Sequence, residues 1–203
     1  MQSAEAYVQW DQCYREGRIP WDRSGVSAGF TLFLSVGAFP KAGRVLVPGC
    51  GNGYEVEALA YEGYEVTAVD MALTPLVSLR KRLREQGLSA EVIQADFFQW
   101  RPLHPFDAIF EQTSLCALPP DQWPGYVDRL YEWLRPGGRL LILFMQTHRE
   151  EGPPWHCDIS VMHRLFPEER WEWRHTWPKQ PTHAPPLVEI PWMLIRRPQS
   201  REQ

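Results

Sequence analysis

The sequence predicts an α/β fold: a doubly wound, mostly parallel sheet of seven strands, helices on both faces, and an antiparallel hairpin at the C-terminal end. Three observations predict it. Short apolar runs alternate with helix-spaced segments through the middle of the chain, and a glycine-rich turn, Gly49-Cys50-Gly51-Asn52-Gly53, joins the first run to the helix after it. Two further strand-like runs close the chain with no helix between them. Strands that alternate with helices imply right-handed crossovers, and so parallel neighbours covered on both faces.

The elements follow in order. The first forty residues are aromatic and irregular, with a helix predicted over "EAYVQWDQCYREG" that Gly17 ends. "GRVLVPG" reads as a buried strand, because Val45, Leu46 and Val47 run without alternation between Gly and Pro. "NGYEVEALAYEG" is a helix closed by Gly63, and "YEVTAVD" is the second strand. The helix "PLVSLRKRLREQG" leads to the strand "AEVIQAD", which ends on Asp96, and "FDAIFEQ" is the fourth strand. A helix over "WPGYVDRLYEWLR" stops at "PGG", after which "RLLILFM" is the fifth. "WEWRHTW" and "LVEIPWMLIRR", separated by a Pro-rich loop, are expected to pair as an antiparallel ribbon at the sheet edge.

Composition narrows the function classes. At 203 residues and 44% hydrophobic, the chain forms one domain with a full core, and no repeat or linker divides it. A net charge of −4 and a pI near 5.9 give no reason to expect nucleic acid or an anionic membrane as a partner. Arg80, Lys81, Arg82 and Arg84, interleaved with Leu79 and Leu83, read as one solvated helix face. No run approaches the ~20 apolar residues of a membrane span. The start "MQSAEAYVQWDQ" lacks the basic-then-apolar order of a signal peptide. Cys13, Cys50, Cys116 and Cys157 are scattered with no CxxC pair, which fits reduced thiols in a cytoplasm and argues against structural zinc. No metal is expected, and the chain is expected as a monomer, with a homodimer as the alternative.

The glycine turn selects the ligand. A dinucleotide fingerprint wants glycine at the sixth position, where Tyr54 stands, and the Gly-Lys-Ser/Thr of a P-loop is missing. G-x-G-x-G followed by an acid, Asp70, at the end of the next strand suits a nucleoside without phosphates. Bare backbone approaches closely at the turn, and a carboxylate accepts from both ribose hydroxyls. Asp96, followed by Phe97, offers an acceptor and a neighbouring amide for an adenine edge. Singly, each acid reads more readily as a strand-end residue or helix cap. In order, at successive strand ends, they point to S-adenosylmethionine.

With these residues in hand, "VLVPGCGNGYEVEALA", "YEVTAVD", "QADFF" and "FDAIFEQTSLCAL" resemble class I S-adenosylmethionine-dependent methyltransferases with a Rossmann-like core. More narrowly, they resemble the thiopurine S-methyltransferase superfamily and its thiol, thiocyanate and halide branch. The Pro48-Gly49-Cys50-Gly51 turn after Val47 and the N-terminal "WDQCYREGRIPWD" carry the narrower resemblance, which weakens after Arg149. It implies that residues 1–40 cap a catalytic core over 41–203. Trp10 and Trp21 match the family's aromatics that close over the cofactor, and Tyr14 stands where plant members often have tryptophan. Packing of a surface helix is the plainer reading of Trp10 and Tyr14, one turn apart. Gly49, with Gly51 beside it, matches the turn at the cofactor's methionine portion. Asp70 matches the ribose acid, and Asp96 with Phe97 the adenine station. After the fourth strand the family places an acid and then Tyr or Arg. Here Glu111 and Gln112 stand there, and Gln112 remains able to hydrogen-bond the cofactor's carboxylate.

The acceptor is narrowed by what is missing. Amino-methyltransferases carry an Asn/Asp-Pro-Pro-aromatic loop after the fourth strand, where this chain has "EQTSL". A small, soft nucleophile remains: a thiol, thiopurine, thiocyanate or halide. Such a nucleophile needs alignment and a dry chamber more than a strong base, and no catalytic residue is assigned. Glu111 and His156 are the only candidates to assist a neutral thiol. Cys116, in "SLCAL", reads as a buried small hydrophobe. Pro153, Pro154 and Trp155 read equally as an acceptor wall or a rigid surface loop. Two alternatives stay open: an O- or N-methyltransferase of a small metabolite, and a cofactor-binding protein without transferase activity.

Overall fold

The computed structural model describes residues 2–174 and 187–198, with side chains from Gln9 onward. The chain builds α1 (Gln2–Arg15), α2 (Ala28–Ser35), β1 (Arg44–Pro48), α3 (Tyr54–Tyr61), β2 (Glu65–Asp70), α4 (Leu73–Glu85) and β3 (Glu91–Gln94). It continues through β4 (Phe106–Gln112), α5 (Ser114–Ala117), α6 (Trp123–Trp133), β5 (Leu134–Gln146), α7 (Ile159–Leu165), β6 (Trp171–Arg174) and β7 (Val188–Arg196). The strands form one seven-stranded sheet in the order β3-β2-β1-β4-β5-β7-β6. The first five run parallel, and β7 pairs antiparallel with both β5 and β6. The doubly wound sheet with its closing hairpin is therefore as the sequence predicts.

The period-2 alternation of side chains explains why the strands read as continuous apolar runs. In β1, Val45 and Val47 enter the core on one face, with Phe30, Phe33, Leu59 and Leu76, while Leu46 enters the core on the other, with Trp123, Tyr126 and Leu130. In β5, Leu140, Ile142 and Phe144 side with Leu46, whereas Leu141 and Leu143 side with Val45. β1 and β5 are thus apolar on both faces because each face of the sheet there carries its own layer.

Chain reversal in the sheet order places the site. β1 lies between β2 and β4, so crossovers leave from β1 toward opposite edges, and their C-terminal loops part above β1. That switch point is where open α/β sheets hold ligands.

Several local expectations shift. Residues 1–40 are not merely irregular: α2 forms behind Ser27, whose Oγ accepts from the Phe30 amide at 3.1 Å. α7 was not expected either; Asp158 caps it, with Oδ1 accepting from the amides of Ser160 (2.9 Å) and Val161 (3.1 Å). β3 stops at Gln94, so Asp96 lies in the loop beyond it, not at the strand end. β5 starts at Leu134, and "PGG" is an irregularity inside it: Phe106 pairs with Leu134 but Ala108 with Arg139. The solvated face holds for Lys81 and Arg84 only. Arg80 donates to the Val92 carbonyl at 2.7 Å, and Arg82 binds Glu57 at 2.6 Å and the Asn52 carbonyl.

Pro191 of β7 faces Leu143 of β5, and Arg174 of β6 pairs with Met193 of β7. Residues 175–177 of the predicted "WEWRHTW" strand lie outside the described residues.

Candidate active site

A cavity of about 920 Å³ opens above the C-terminal ends of β1, β2 and β4, and Trp10, Tyr14, Trp21, Gly49, Gly51, Asp70, Asp96, Phe97 and Gln112 all line it. The volume lies within the ~300–1,000 Å³ of pockets that enclose small molecules.

The turn after β1 is built by close approach. Gly49 has φ +60°, and a Cβ there would collide with Oγ of Ser114, which donates to the Pro48 carbonyl at 2.9 Å. Gly51 has φ +51°, and a Cβ there would sit 2.5 Å from the Tyr14 hydroxyl. Bare backbone is thus needed here for the protein's own Ser114 and Tyr14.

Asp70 ends β2 and is 8% exposed. Its Oδ2 accepts from the Gly51 amide and its Oδ1 from the Ala72 amide, both at 2.8 Å. Each oxygen retains a lone pair for a hydroxyl of a bound ligand. Burial pushes the Asp70 carboxyl up from the ordinary carboxylate range, while the amides of Ala72 and Gly51 work in the opposite direction. Asp96 holds the following loop, with Oδ1 accepting from the Phe98 amide at 2.8 Å, and Phe97 packs between cavity and core, its ring 5.4 Å from that of Tyr126.

The N-terminal segment folds over this turn. Trp21 donates through Nε1 to the Tyr14 hydroxyl at 3.1 Å and meets Trp10 edge-on at 5.3 Å between ring centroids. Burial, followed by the charge of Asp70, raises the Tyr14 phenol above its ordinary range. The segment is tied down by polar contacts. Asp11 accepts from the Thr74 amide at 2.7 Å in the first turn of α4, where Ala72 supplies no cap. Asp22 accepts from Asn52 Nδ2 at 2.8 Å and from the Tyr54 hydroxyl at 3.4 Å. Tyr54 thus anchors the cover to α3. The Ser27 amide donates to Glu55 at 2.9 Å, and Arg23 pairs with Glu189 on β7 at 3.0 Å.

Gln112 closes the far wall, donating to Glu189. Beside it, Thr113 takes φ +67°, a left-handed conformation uncommon for a β-branched residue, at the cavity lip. Cys116, Leu118, Met145, Pro153, Pro154, Trp155 and Leu187 form the apolar remainder of the cavity. The "GPPW" loop is therefore a cavity wall. The sequence held no signal for Thr113 or Met145 as lining residues.

Glu111 and His156 are not among the lining residues. Glu111 is 1% exposed, and its Oε1 accepts from the Leu115 amide at 2.7 Å. Burial pushes its carboxyl up to about 8, with the charge of Glu189 adding to the rise. His156 organises the loop after β5, where Nδ1 accepts from the Thr147 amide at 3.1 Å, and burial lowers its pKa. Burial lifts the Cys116 thiol well above its ordinary range, consistent with an inert small hydrophobe. Among the described residues, no group of three or more His, Cys, Asp or Glu is placed to hold a metal, and no helix is long and apolar enough to cross a membrane.

The charged side chains along the described wall are Asp22, Glu55, Asp70, Asp96 and Asp121 against Arg23. An acid-rich cavity with aromatic rings over a glycine turn suits a ligand that carries positive charge on an adenosine, and so fits S-adenosylmethionine. Fold and site together define a class I S-adenosylmethionine-dependent methyltransferase.

Comparison with known proteins narrows the class. The family model described as thiopurine S-methyltransferase matches residues 6–180, and the chain belongs to that family. The probable thiol methyltransferase 2 of Arabidopsis thaliana is 32% identical over 160 residues, covering 77% of this chain and 70% of that one. The thiopurine S-methyltransferase of Legionella pneumophila (strain Philadelphia 1) is 29% identical over 163 residues, covering 72% and 74%. In fold, the chain is similar to the 1,6-didemethyltoxoflavin-N1-methyltransferase of Burkholderia thailandensis, solved with bound 1,6-didemethyltoxoflavin and S-adenosylhomocysteine. That similarity has TM-score 0.75 at 18% identity and covers 97% and 89% of the two chains.

Proposed function

We propose that the chain methylates a small, soft nucleophile, a thiol, thiopurine, thiocyanate or halide, and that the residues around the glycine turn hold its cofactor. The observation that carries this reading is one cavity lined both by polar groups, among them Asp70, Asp96 and Gln112, and by apolar ones, among them Cys116, Met145, Pro154 and Trp155. When bound, S-adenosylmethionine supplies an electrophilic methyl carbon. Gly49 and Gly51 let the ligand reach the backbone, Asp70 accepts from the ribose hydroxyls, and the Asp96–Phe97 loop meets the adenine. Trp10, Tyr14 and Trp21 cover the sulfonium with ring faces and exclude water. The apolar groups strip water from the acceptor and align it, which for a thiolate or a soft anion removes most of the need for a base.

Glu111 and His156, which are not among the lining residues, have no place in this reading. The described cysteines are all free thiols, which agrees with a reducing cytoplasm, and the described cavity lining comes from one chain, which agrees with a monomer.

The test is transfer of labelled methyl from the cofactor to a panel of thiols, thiopurines, thiocyanate, iodide, phenols and amines. Label on sulfur or iodide supports the reading. Label confined to oxygen or nitrogen makes the chain an O- or N-methyltransferase with the same cofactor site. Cofactor binding with no labelled product makes it a binding protein.

A further inference from the structure

Gln112 ends β4, lines the cavity and is 9% exposed. Its Nε2 donates to both carboxylate oxygens of Glu189, at 3.0 Å to Oε2 and 3.2 Å to Oε1. Glu189 lies on β7 at 0% exposure, and Arg23 from the N-terminal segment reaches the same Oε2 at 3.0 Å. The chain therefore joins three distant stretches at one buried carboxylate.

That carboxylate decides which end of the Gln112 amide meets the ligand. A carboxamide has a donor end and an acceptor end of nearly equal shape, and only the NH2 end can face a carboxylate. Arg23, a guanidinium that stays charged throughout the working range, meets the same carboxylate at Oε2. Glu111, pushed up to about 8 by burial, is mostly neutral at pH 7 and does not compete for that role. With its NH2 turned to Glu189, Gln112 leaves its amide oxygen for the cavity. A carbonyl oxygen repels a carboxylate and accepts from an ammonium. This reverses the expectation from sequence that Gln112 hydrogen-bonds the cofactor's carboxylate.

We propose that Glu189, paired with Arg23, is a positioning residue that turns the Gln112 carboxamide so that its oxygen receives the α-ammonium of the cofactor's methionine portion. The inference rests on the cofactor reading given above. It also links the cover to the far wall: Arg23 arrives with the segment that carries Trp21 and Asp22, so closure of that segment fixes the polarity of Gln112.

The test compares S-adenosylhomocysteine with its deamino analogue, in which hydrogen replaces the amino group, by calorimetry on the intact chain. The wild-type protein is expected to bind the deamino analogue roughly tenfold or more weakly, as for a lost hydrogen bond to a charged group. In Glu189→Gln the amide is free to turn, and that tenfold difference is expected to shrink toward one through weaker binding of S-adenosylhomocysteine alone. Gln112→Met, which leaves the Arg23–Glu189 pair in place, is expected to erase the difference in the same way. A folded Gln112→Met protein that still prefers S-adenosylhomocysteine by the wild-type factor overturns the proposal, whatever the fate of Glu189→Gln. Failure of the wild-type chain to bind S-adenosylhomocysteine at all overturns the cofactor reading beneath it.

Discussion

The backbone amide of Gly51 donates to Oδ2 of Asp70 at 2.8 Å, which ties the turn after β1 to the end of β2. The same carboxylate receives the Ala72 amide through its other oxygen. Asp70 therefore shapes the turn besides lining the cavity. Asp70→Ala is expected to weaken binding of S-adenosylhomocysteine by about 1–3 kcal/mol, or roughly 5- to 150-fold, because buried hydroxyls and amides lose their acceptor. Calorimetry reads this directly, and an unchanged affinity removes Asp70 from the site.

Gly49→Ala places a Cβ against Ser114 Oγ at a residue with φ +60°. The left-handed backbone costs about 1–2 kcal/mol and the overpacking about 1–3 more, so roughly 2–5 kcal/mol of stability is expected to go. Adding Ser114→Ala is expected to recover the collision but not the backbone strain. Denaturant unfolding of both single variants and the double variant measures the coupling, and strict additivity contradicts the close approach.

Trp21 sits over the turn through Tyr14 and Trp10. Trp21→Ala is expected to cost about 0.5–2 kcal/mol of affinity for the sulfonium cofactor, with less effect on its neutral thioether product. Comparing S-adenosylmethionine with S-adenosylhomocysteine separates this from general loosening. A point substitution is the cleaner probe here, since deleting the segment also removes Arg23 from the fully buried Glu189.

Glu111 titrates near 8 in the folded chain because it is buried, with the charge of Glu189 adding to the shift. Its unfolded value is near 4.3. The raised folded pKa means that its stabilising contribution is complete below about pH 4 and is lost as pH rises toward 8, at up to about 1.4 kcal/mol per pH unit. Glu111→Gln is expected to flatten the fall in Tm between pH 5 and 8. Parallel pH profiles for wild type and variant contradict the assignment.

The sheet was legible because periodicity reports burial: Val45–Val47 and Leu140–Phe144 are apolar throughout, since helices cover both faces. The glycine turn and Asp70 were legible because strand-end position and spacing carry chemistry, whereas Trp10, Tyr14 and Trp21 were singled out by the family resemblance, since their spacing alone reads as helix packing. α2 was not, because its helix "AGFTLFLS" is apolar nearly all round and so lacks a helical stripe. The polarity of Gln112 was not legible either. It depends on Glu189, 77 positions away, and on Arg23, and only the folded sheet brings the three together.

The cofactor site is tested most directly by a crystal structure with S-adenosylhomocysteine bound. The expected density has the ribose hydroxyls on Asp70, the adenine against Phe97 and the sulfur beneath Trp21. Density for the nucleoside outside the cavity above β1, or its displacement by NAD, contradicts the site assigned here.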